Sequence, residues 1–253
     1  MVRRVVITGG ASGLGRKMAE KFLGQGDRVA ICDVSSLHVE MLKRERPKIL
    51  CFQCDVTNET QMEDFFDQVQ KEFGGVDVFL SNAGTSGPAG PLDTLGFSDW
   101  RNCVAVNLDG NFLSCRWAGK QMREQQYGVI IIISSTSGLF GVPNRAPYVT
   151  AKWGLIGLMK TLAMELGPVG VRVNAICPGA VDGDRMERVL DLESMASGQD
   201  RAGLQEQYTQ SVSLRRFMSQ QDIAEMAFFL SSEAAQNVTG QAICVDGNTE
   251  RMV

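Results

Sequence analysis

The chain has 253 residues, somewhat more than one domain of roughly 150, but α/β sheets of about 200–250 residues commonly form a single unit, so one domain over 1–253 is expected. Hydrophobic residues make up 44% and charged residues 21%, close to the globular norm, which excludes a long disordered tail or a fibrous repeat. Lys and Arg number 25 against 29 Asp and Glu, a net charge of −4 with no basic stripe along any predicted element; nucleic-acid and anionic-membrane partners are disfavoured, and a small molecule is the expected one.

The residues Met1–Gly10 hold only a short apolar run before the first glycines, far from a signal peptide's core or a membrane span. A soluble, cytoplasmic protein is expected. Short β-branched runs then alternate with longer stretches of helical period from end to end. Strands are predicted at 2–8, 28–33, 49–54, 76–81, 129–134, 171–177 and 242–245. Helices are predicted at 13–25, 37–46, 59–73, 98–125, 148–166 and 221–231, with a further pair within 184–211. The strands are nearly unbroken Val, Ile and Leu, as needed where helices cover both faces of a sheet. The pattern predicts an α/β fold with a doubly wound, seven-stranded parallel sheet.

The first strand runs into Thr8-Gly9-Gly10-Ala11-Ser12-Gly13-Leu14-Gly15 and straight on into a helix. Glycines at 9, 13 and 15 permit a tight turn, let backbone N–H groups approach a pyrophosphate and allow the helix to pack on the strand. A dinucleotide fits this turn; a bare glycine turn is the plainer alternative. Asp33 closes the second strand eighteen positions after Gly15. A carboxylate there can accept from both hydroxyls of an adenosine ribose and repel a 2′-phosphate, which favours NAD over NADP. Arg16 and Arg28 are near enough in sequence to oppose that preference, and a carboxylate that merely caps the strand end is the other reading.

Seven cysteines, at 32, 51, 54, 103, 115, 177 and 244, lie mostly in apolar stretches and read as buried thiols, not as a disulfide framework. Cys51-Phe-Gln-Cys54 has no second pair, and the single histidine, His38, sits on a polar helix face, so no metal is expected.

Further on, Val129–Ile133 emerges into Ser134-Ser135-Thr136-Ser137, placing hydroxyls at the carboxyl edge of the sheet. Thirteen residues beyond Ser135, Tyr148-Val-Thr-Ala-Lys152 opens a helix with Pro147 suited to its first position. The i, i+4 spacing sets phenol and ammonium on one face, and a cation within a few Å favours the phenolate. The segment Asp182–Ser213 interrupts the βαβ rhythm after a strand and is a candidate substrate lid, with an ordinary surface excursion as the alternative.

The glycine-rich turn, Asp33, the hydroxyl cluster and YxxxK, in this order and on these elements, resemble the short-chain dehydrogenase/reductase family over essentially the whole chain. The resemblance implies a Rossmann fold and particular roles. Asp55-Val56 is similar to the pair bordering the adenine, and Ser81-Asn82-Ala83-Gly84 matches the family's N-N-A-G motif with Ser81 for its first Asn. Asn107, Ser135, Tyr148 and Lys152 match the catalytic Asn, Ser, Tyr and Lys. Cys177-Pro178-Gly179 matches the segment flanking the nicotinamide, with Val181 offering a backbone bond to the carboxamide. Asp182 stands where the family usually has Thr, and Asn248 where a second Gly is common.

The implied activity is an NAD-dependent dehydrogenase that interconverts a secondary alcohol and a ketone, with Tyr148 as acid/base, Ser135 holding the oxygen, Lys152 binding the ribose and lowering the Tyr148 pKa, and Asn107 relaying through water. An NADPH-dependent carbonyl reductase of 3-oxoacyl type is the alternative, which Asp33 opposes. A non-catalytic dinucleotide sensor is a third reading, which the complete catalytic set opposes. Asn144, Arg145, Asp182 and Arg185 flank the expected pocket and point to a polar or anionic substrate. Apolar residues on two faces (Val104, Leu108, Phe112, Leu113; Leu155, Leu158, Met159, Leu162) predict a homo-oligomer, and the resemblance implies a tetramer.

Overall fold

The structure, a computed structural model, describes residues 2–251. Its strands are β1 (Arg4–Thr8), β2 (Arg28–Asp33), β3 (Leu50–Gln53), β4 (Val78–Ser81), β5 (Gly128–Ile133), β6 (Val171–Pro178) and β7 (Ala242–Val245). All pairings are parallel and the order is β3-β2-β1-β4-β5-β6-β7. The helices are α1 (Gly13–Gly24), α2 (Ser36–Glu45), α3 (Glu59–Phe73), α4 (Phe97–Val104), α5 (Gly110–Gln125), α6 (Ala146–Leu166), α7 (Asp184–Ser197), α8 (Arg201–Gln210) and α9 (Gln220–Leu230). The chain runs outward from β1 in one direction to β3, then returns through β4 to β7, so β1 and β4 flank the switch point at which a doubly wound sheet opens a crevice.

The continuous apolar strands are explained by two buried layers. Val6, Ala30, Ile130, Ile132 and Val173 pack on one face with α3, α5 and α6. Val5, Ile7, Ile31, Ile131 and Ile133 pack on the other with α1, α2 and α9. Each such side chain removed from water stabilises the fold by roughly 1.5–3 kcal/mol, so a polar substitution on either face of a central strand is costly. The CxxC cysteines fall into different layers, Cys54 in the first and Cys51 in the second. Burial pushes the Cys51 thiol up to about 11 and those of Cys115 and Cys177 up to about 12. Among the described residues no helix is long and apolar enough to cross a membrane.

Three expectations need correction. The helix predicted over 98–125 is broken by a π turn at Ala105–Asp109. Asn107 Nδ2 donates to the carbonyl of Cys103 at 2.9 Å, and Asn111 Nδ2 to that of Asn107 at 2.8 Å. Both amides take the acceptor four residues back that an α-helical N–H would use, and the backbone widens by one residue. Pro147 occupies the second helical position, because Ala146 opens α6. Finally, Leu155 and Met159 belong to the core, with Leu158 and Leu162 packed against it. Of the expected apolar faces Phe112 is exposed (48%), and α6 exposes Trp153 (50%) and Met164 (81%) in place of the four residues expected there.

Candidate active site

A cleft of about 870 Å³ opens at the carboxyl edge of the sheet. The loop after β1 brings Gly9, Ser12, Gly13, Leu14 and Gly15 to it, and the end of β2 brings Asp33. From the next two strands come Asp55 and Val56, then Asn82, Ala83 and Gly84. Ser135 follows β5, Tyr148 and Lys152 face it from α6, and Pro178, Gly179 and Val181 follow β6. Of the residues assigned to the site from sequence, Asn107 alone does not line the cleft; Asn144, expected to flank it, does not line it either and takes a left-handed backbone (φ 62°).

The glycine loop is built for a ligand. Helices α2, α3, α8 and α9 each have a side-chain N-cap, whereas α4, α6 and α7 lack one and Ser12 likewise makes no cap hydrogen bond to α1. The first N–H groups of α1 therefore face the cleft without a side-chain acceptor, at the positive end of the helix dipole, where a pyrophosphate is favoured. A Cβ on Gly15 would run into the Gly9 carbonyl and stand 2.6 Å from Asn82 Nδ2. Asn82 closes the loop from below, its amide donating to the carbonyls of Thr8 and Gly9 at 3.0 Å each. Since neither partner is a loose side-chain end, Gly15→Ala is expected to destabilise the protein by at least about 2 kcal/mol, which lowers Tm by roughly 5 °C in a calorimetric scan; an unchanged Tm would mean that the loop relaxes freely.

Asp33 is buried and already used. One carboxylate oxygen accepts from the Ala11 N–H at 3.1 Å and the other from Ser35 N–H at 3.1 Å. It ties the glycine loop to the turn after β2 while keeping lone pairs toward the cleft. The strand-end cap and the ligand-facing carboxylate are thus the same group. Arg16, which lines the same end, is held by Glu20 at 3.3 Å and by Glu45. Arg28 points elsewhere, donating to the carbonyl of Glu72 and covering the Phe73 ring.

At the opposite end, Lys152 is buried and its Nζ donates to the Ile133 carbonyl at 3.0 Å. That ammonium lies 5.6 Å from the centre of the Tyr148 ring. Two guanidinium groups also face the ring, Arg145 at 5.2 Å and Arg185 at 5.9 Å. Burial by itself would push the Tyr148 phenol up, but Arg185, Lys152, the hydrogen bond to Ser135 and Arg145 together bring it below the ordinary tyrosine value. Lys152 is pushed down by burial, against the opposing pull of Tyr148. Ser135 Oγ accepts from the Ser137 N–H at 3.1 Å, which fixes the hydroxyl at the mouth of β5.

Sequence reading missed several neighbours of this constellation. Thr8 Oγ1 accepts from the N–H groups of Asn82 and Ala83, joining β1 to β4 under the cleft; a Thr immediately before the glycines was the available signal. Glu193 and Tyr208 arrive from α7 and α8, and nothing local in the sequence marks them. The Asn107 side chain is spent on the π turn, with Oδ1 accepting from the Thr85 N–H at 3.2 Å. A Cβ on Gly84 would lie 2.8 Å from that oxygen and 3.6 Å from Lys152 Nζ, so Asn107 borders the Lys152 pocket from behind. Around Val181, the Ala180 carbonyl and the Asp182 N–H pair with Met218, a pattern that leaves Val181's own N–H and C=O out of the bridge.

Comparison with known proteins gives the chain's family. The family model for enoyl-(acyl carrier protein) reductase matches residues 9–248. Levodione reductase of Leifsonia aquatica is 32% identical over 97% of this chain and 93% of its own. A structure of NAD⁺-bound xylitol dehydrogenase superposes with a TM-score of 0.94 at 29% identity, covering 97% of this chain and 98% of that one. An actinorhodin polyketide ketoreductase variant with NADPH gives 0.92 at 31% identity, covering 97% and 96%. With this fold, and with relatives aligned over nearly their whole length, the chain belongs to the short-chain dehydrogenase/reductase family of oxidoreductases.

Proposed function

We propose that the protein transfers a hydride between NAD(H) and a secondary alcohol or ketone, with Tyr148 exchanging the substrate's proton. The observation that carries this reading is a half-buried phenol at the cleft whose ring has three cations between 5.2 and 5.9 Å from its centre, charges that favour the phenolate. The residues present suit the dinucleotide: an uncapped α1 N-terminus for the pyrophosphate, Asp33 for the adenosine ribose, Asp55 and Val56 beside the adenine, and for the carboxamide the Val181 N–H and C=O, which the bridge to Met218 does not use. When bound, its nicotinamide supplies a two-electron hydride acceptor. Ser135 Oγ donates to the substrate oxygen, Tyr148 takes the hydroxyl proton in oxidation and returns it in reduction, and Lys152 holds the phenolate. Asn107 props the Lys152 pocket and the π turn.

NAD is favoured because Asp33 is positioned against a 2′-phosphate and Arg16 is engaged by two carboxylates. Lys17, at the same end of the cleft, is the observation that favours the NADPH-dependent carbonyl-reductase reading. Following absorbance at 340 nm with polyols, sugars, hydroxy acids and secondary alcohols, NAD and NADP in parallel, decides between them. No turnover with either nucleotide would overturn both.

The segment 182–213 fits a substrate lid. Its helices α7 and α8 have a small core of their own around Met186, Leu190 and Leu204. Its base is pinned by the Val181–Met218 bridge and by Gln220 Nε2 donating to the Asp182 carbonyl at 3.2 Å. Exposed Phe112, Trp153 and Met164 on α5 and α6 support a homo-oligomer, most simply the tetramer of the family resemblance, since such a face unburied is an association liability. Light scattering at micromolar concentration is expected to give a multiple of the 27.6 kDa chain mass and Trp153→Glu a smaller species; a wild-type monomer overturns the assembly.

A further inference from the structure

The three cations around Tyr148 are not equivalent. Lys152 is committed to the phenol and to the Ile133 carbonyl. Arg145, only 4% exposed, is locked in place by Glu193 at 3.4 Å and by the Ser86 carbonyl at 2.9 Å. Glu193 is in turn steadied by the Tyr208 hydroxyl, which donates to it at 2.8 Å. This is a built site: a buried guanidinium whose planar fork is oriented by the lid helices α7 and α8 and only partly used.

Arg185 differs. It stands on the first turn of α7, lines the cleft, and makes no ion pair or side-chain hydrogen bond among the described residues. Asp182 and Asp184, on the same edge and exposed, do not neutralise it within ion-pair distance. Arg185 is exposed at the cleft edge, so an entering anion can pair with its guanidinium without first breaking a protein contact.

Building on the oxidoreductase reading above, we propose that the alcohol substrate carries an anionic group, a carboxylate, sulfonate or phosphate, which Arg185 and Arg145 hold beside Tyr148. The three cationic centres lie between 5.2 and 5.9 Å from one ring centre, so the anion and the reacting oxygen share a small volume. Only a few bonds separate the carbinol carbon from the charge. Hydroxy acids and their sulfonate or phosphate counterparts meet that description; long acyl chains and steroids do not. In the oxidation the carbinol carbon loses a hydride to NAD⁺ and the hydroxyl loses a proton to the Tyr148 phenolate, giving ketone, NADH and one proton. The anionic group is unchanged.

The test uses the full-length protein with 2- and 3-hydroxy acids, each beside its neutral amide, and measures NADH affinity separately by fluorescence titration. Binding of the corresponding keto acids and of small alkanesulfonates to the NAD complex is titrated as well, so a signal does not depend on turnover. At least one anion is expected to bind or react thirtyfold better than its neutral partner. Arg185→Gln should weaken that anion tenfold or more in Kd, with the Kd of the neutral analogue and of NADH unaffected; turnover of both substrates shifts with the Tyr148 pKa and is compared on the plateau of the pH profile. The proposal is overturned if no anion binds the NAD complex at 100 mM, if the neutral partner does as well, or if Arg185→Gln weakens NADH in the same ratio, which would assign the arginine to the dinucleotide. Failure of the underlying reading looks different: anions would bind, yet Tyr148→Phe would leave turnover intact.

Discussion

Tyr148→Phe is expected to reduce kcat by about a thousandfold or more while leaving NADH affinity within a factor of about three. Phe preserves the ring that Arg145, Lys152 and Arg185 surround, so the fold and the packing of α6 survive. What disappears is the only oxygen on that ring, and with it proton transfer in the transition state, for which general acid–base catalysis typically contributes 10²–10⁴. On the proposed reading the dinucleotide would be held mainly by loop backbone and by Asp33, distant from the phenol in sequence and at the other end of the cleft. Residual activity within about tenfold of wild type, a barrier change of only ~1.4 kcal/mol, would remove Tyr148 from its role. The pH profile gives a second handle. Alcohol oxidation requires the phenolate, so kcat/KM should rise with pH and level off below 10, because the Tyr148 pKa is depressed. Loss of Arg185 or Lys152 removes a cause of that depression, so either substitution should move the rise to higher pH. A profile unmoved by both would mean that another group titrates.

The wild-type protein is expected to prefer NAD over NADP by at least about a hundredfold in kcat/KM. A like-charge pair about 4 Å apart at an effective dielectric near 20 costs roughly 4 kcal/mol, and a hundredfold needs only about 2.7 kcal/mol of it. The pairing of Arg16 with Glu20 and Glu45 leaves that cation poorly placed to rescue a 2′-phosphate. Asp33→Ser should bring the two nucleotides within tenfold, mostly by weakening NAD. Because Ala11 and Ser35 N–H groups both donate to Asp33, the serine variant should also lose stability. Asp33→Asn removes the charge at constant size but keeps an acceptor for only one of those two N–H groups, so it should also lose stability, and nucleotide preference is compared with Tm for both variants. Equal use of NADP by the wild type would show that Lys17 or Arg16 compensates the phosphate, and the inference from Asp33 would fail.

How far the sequence reaches can be judged residue by residue. The strands at 28–33 and 242–245 and the helix at 59–73 were placed to the residue, because each carries its period and its boundary signals within itself. The glycines at 9, 13 and 15 were equally readable, since a close backbone approach at Gly9 and Gly15 and a positive φ at Gly9 and Gly13 both favour a residue without a side chain. The π turn was not, although Asn107 and Asn111 were in plain view. Whether an Asn side chain takes a helical carbonyl or points to solvent depends on what is packed around it. Leu155 and Met159 likewise carry the right apolar character for either a core or an interface, and only the packing of α6 on the sheet assigned them to the core.

The sequence by itself therefore determined the alternation of strands and helices, the glycine turn, the acidic end of β2 and the Tyr148–Lys152 pair, all of which depend on residues within a few positions of one another. Only the tertiary structure decided the electrostatics of the cleft. It brought Arg185 and Glu193 from α7 and Tyr208 from α8 to Arg145 and Tyr148, turned Arg16 onto two glutamates, and gave Asp33 two backbone donors. The reason is physical: helical and strand periodicity is a property of neighbours along the chain, whereas a charge acts through space, over distances and in a local dielectric that exist only once the chain has folded.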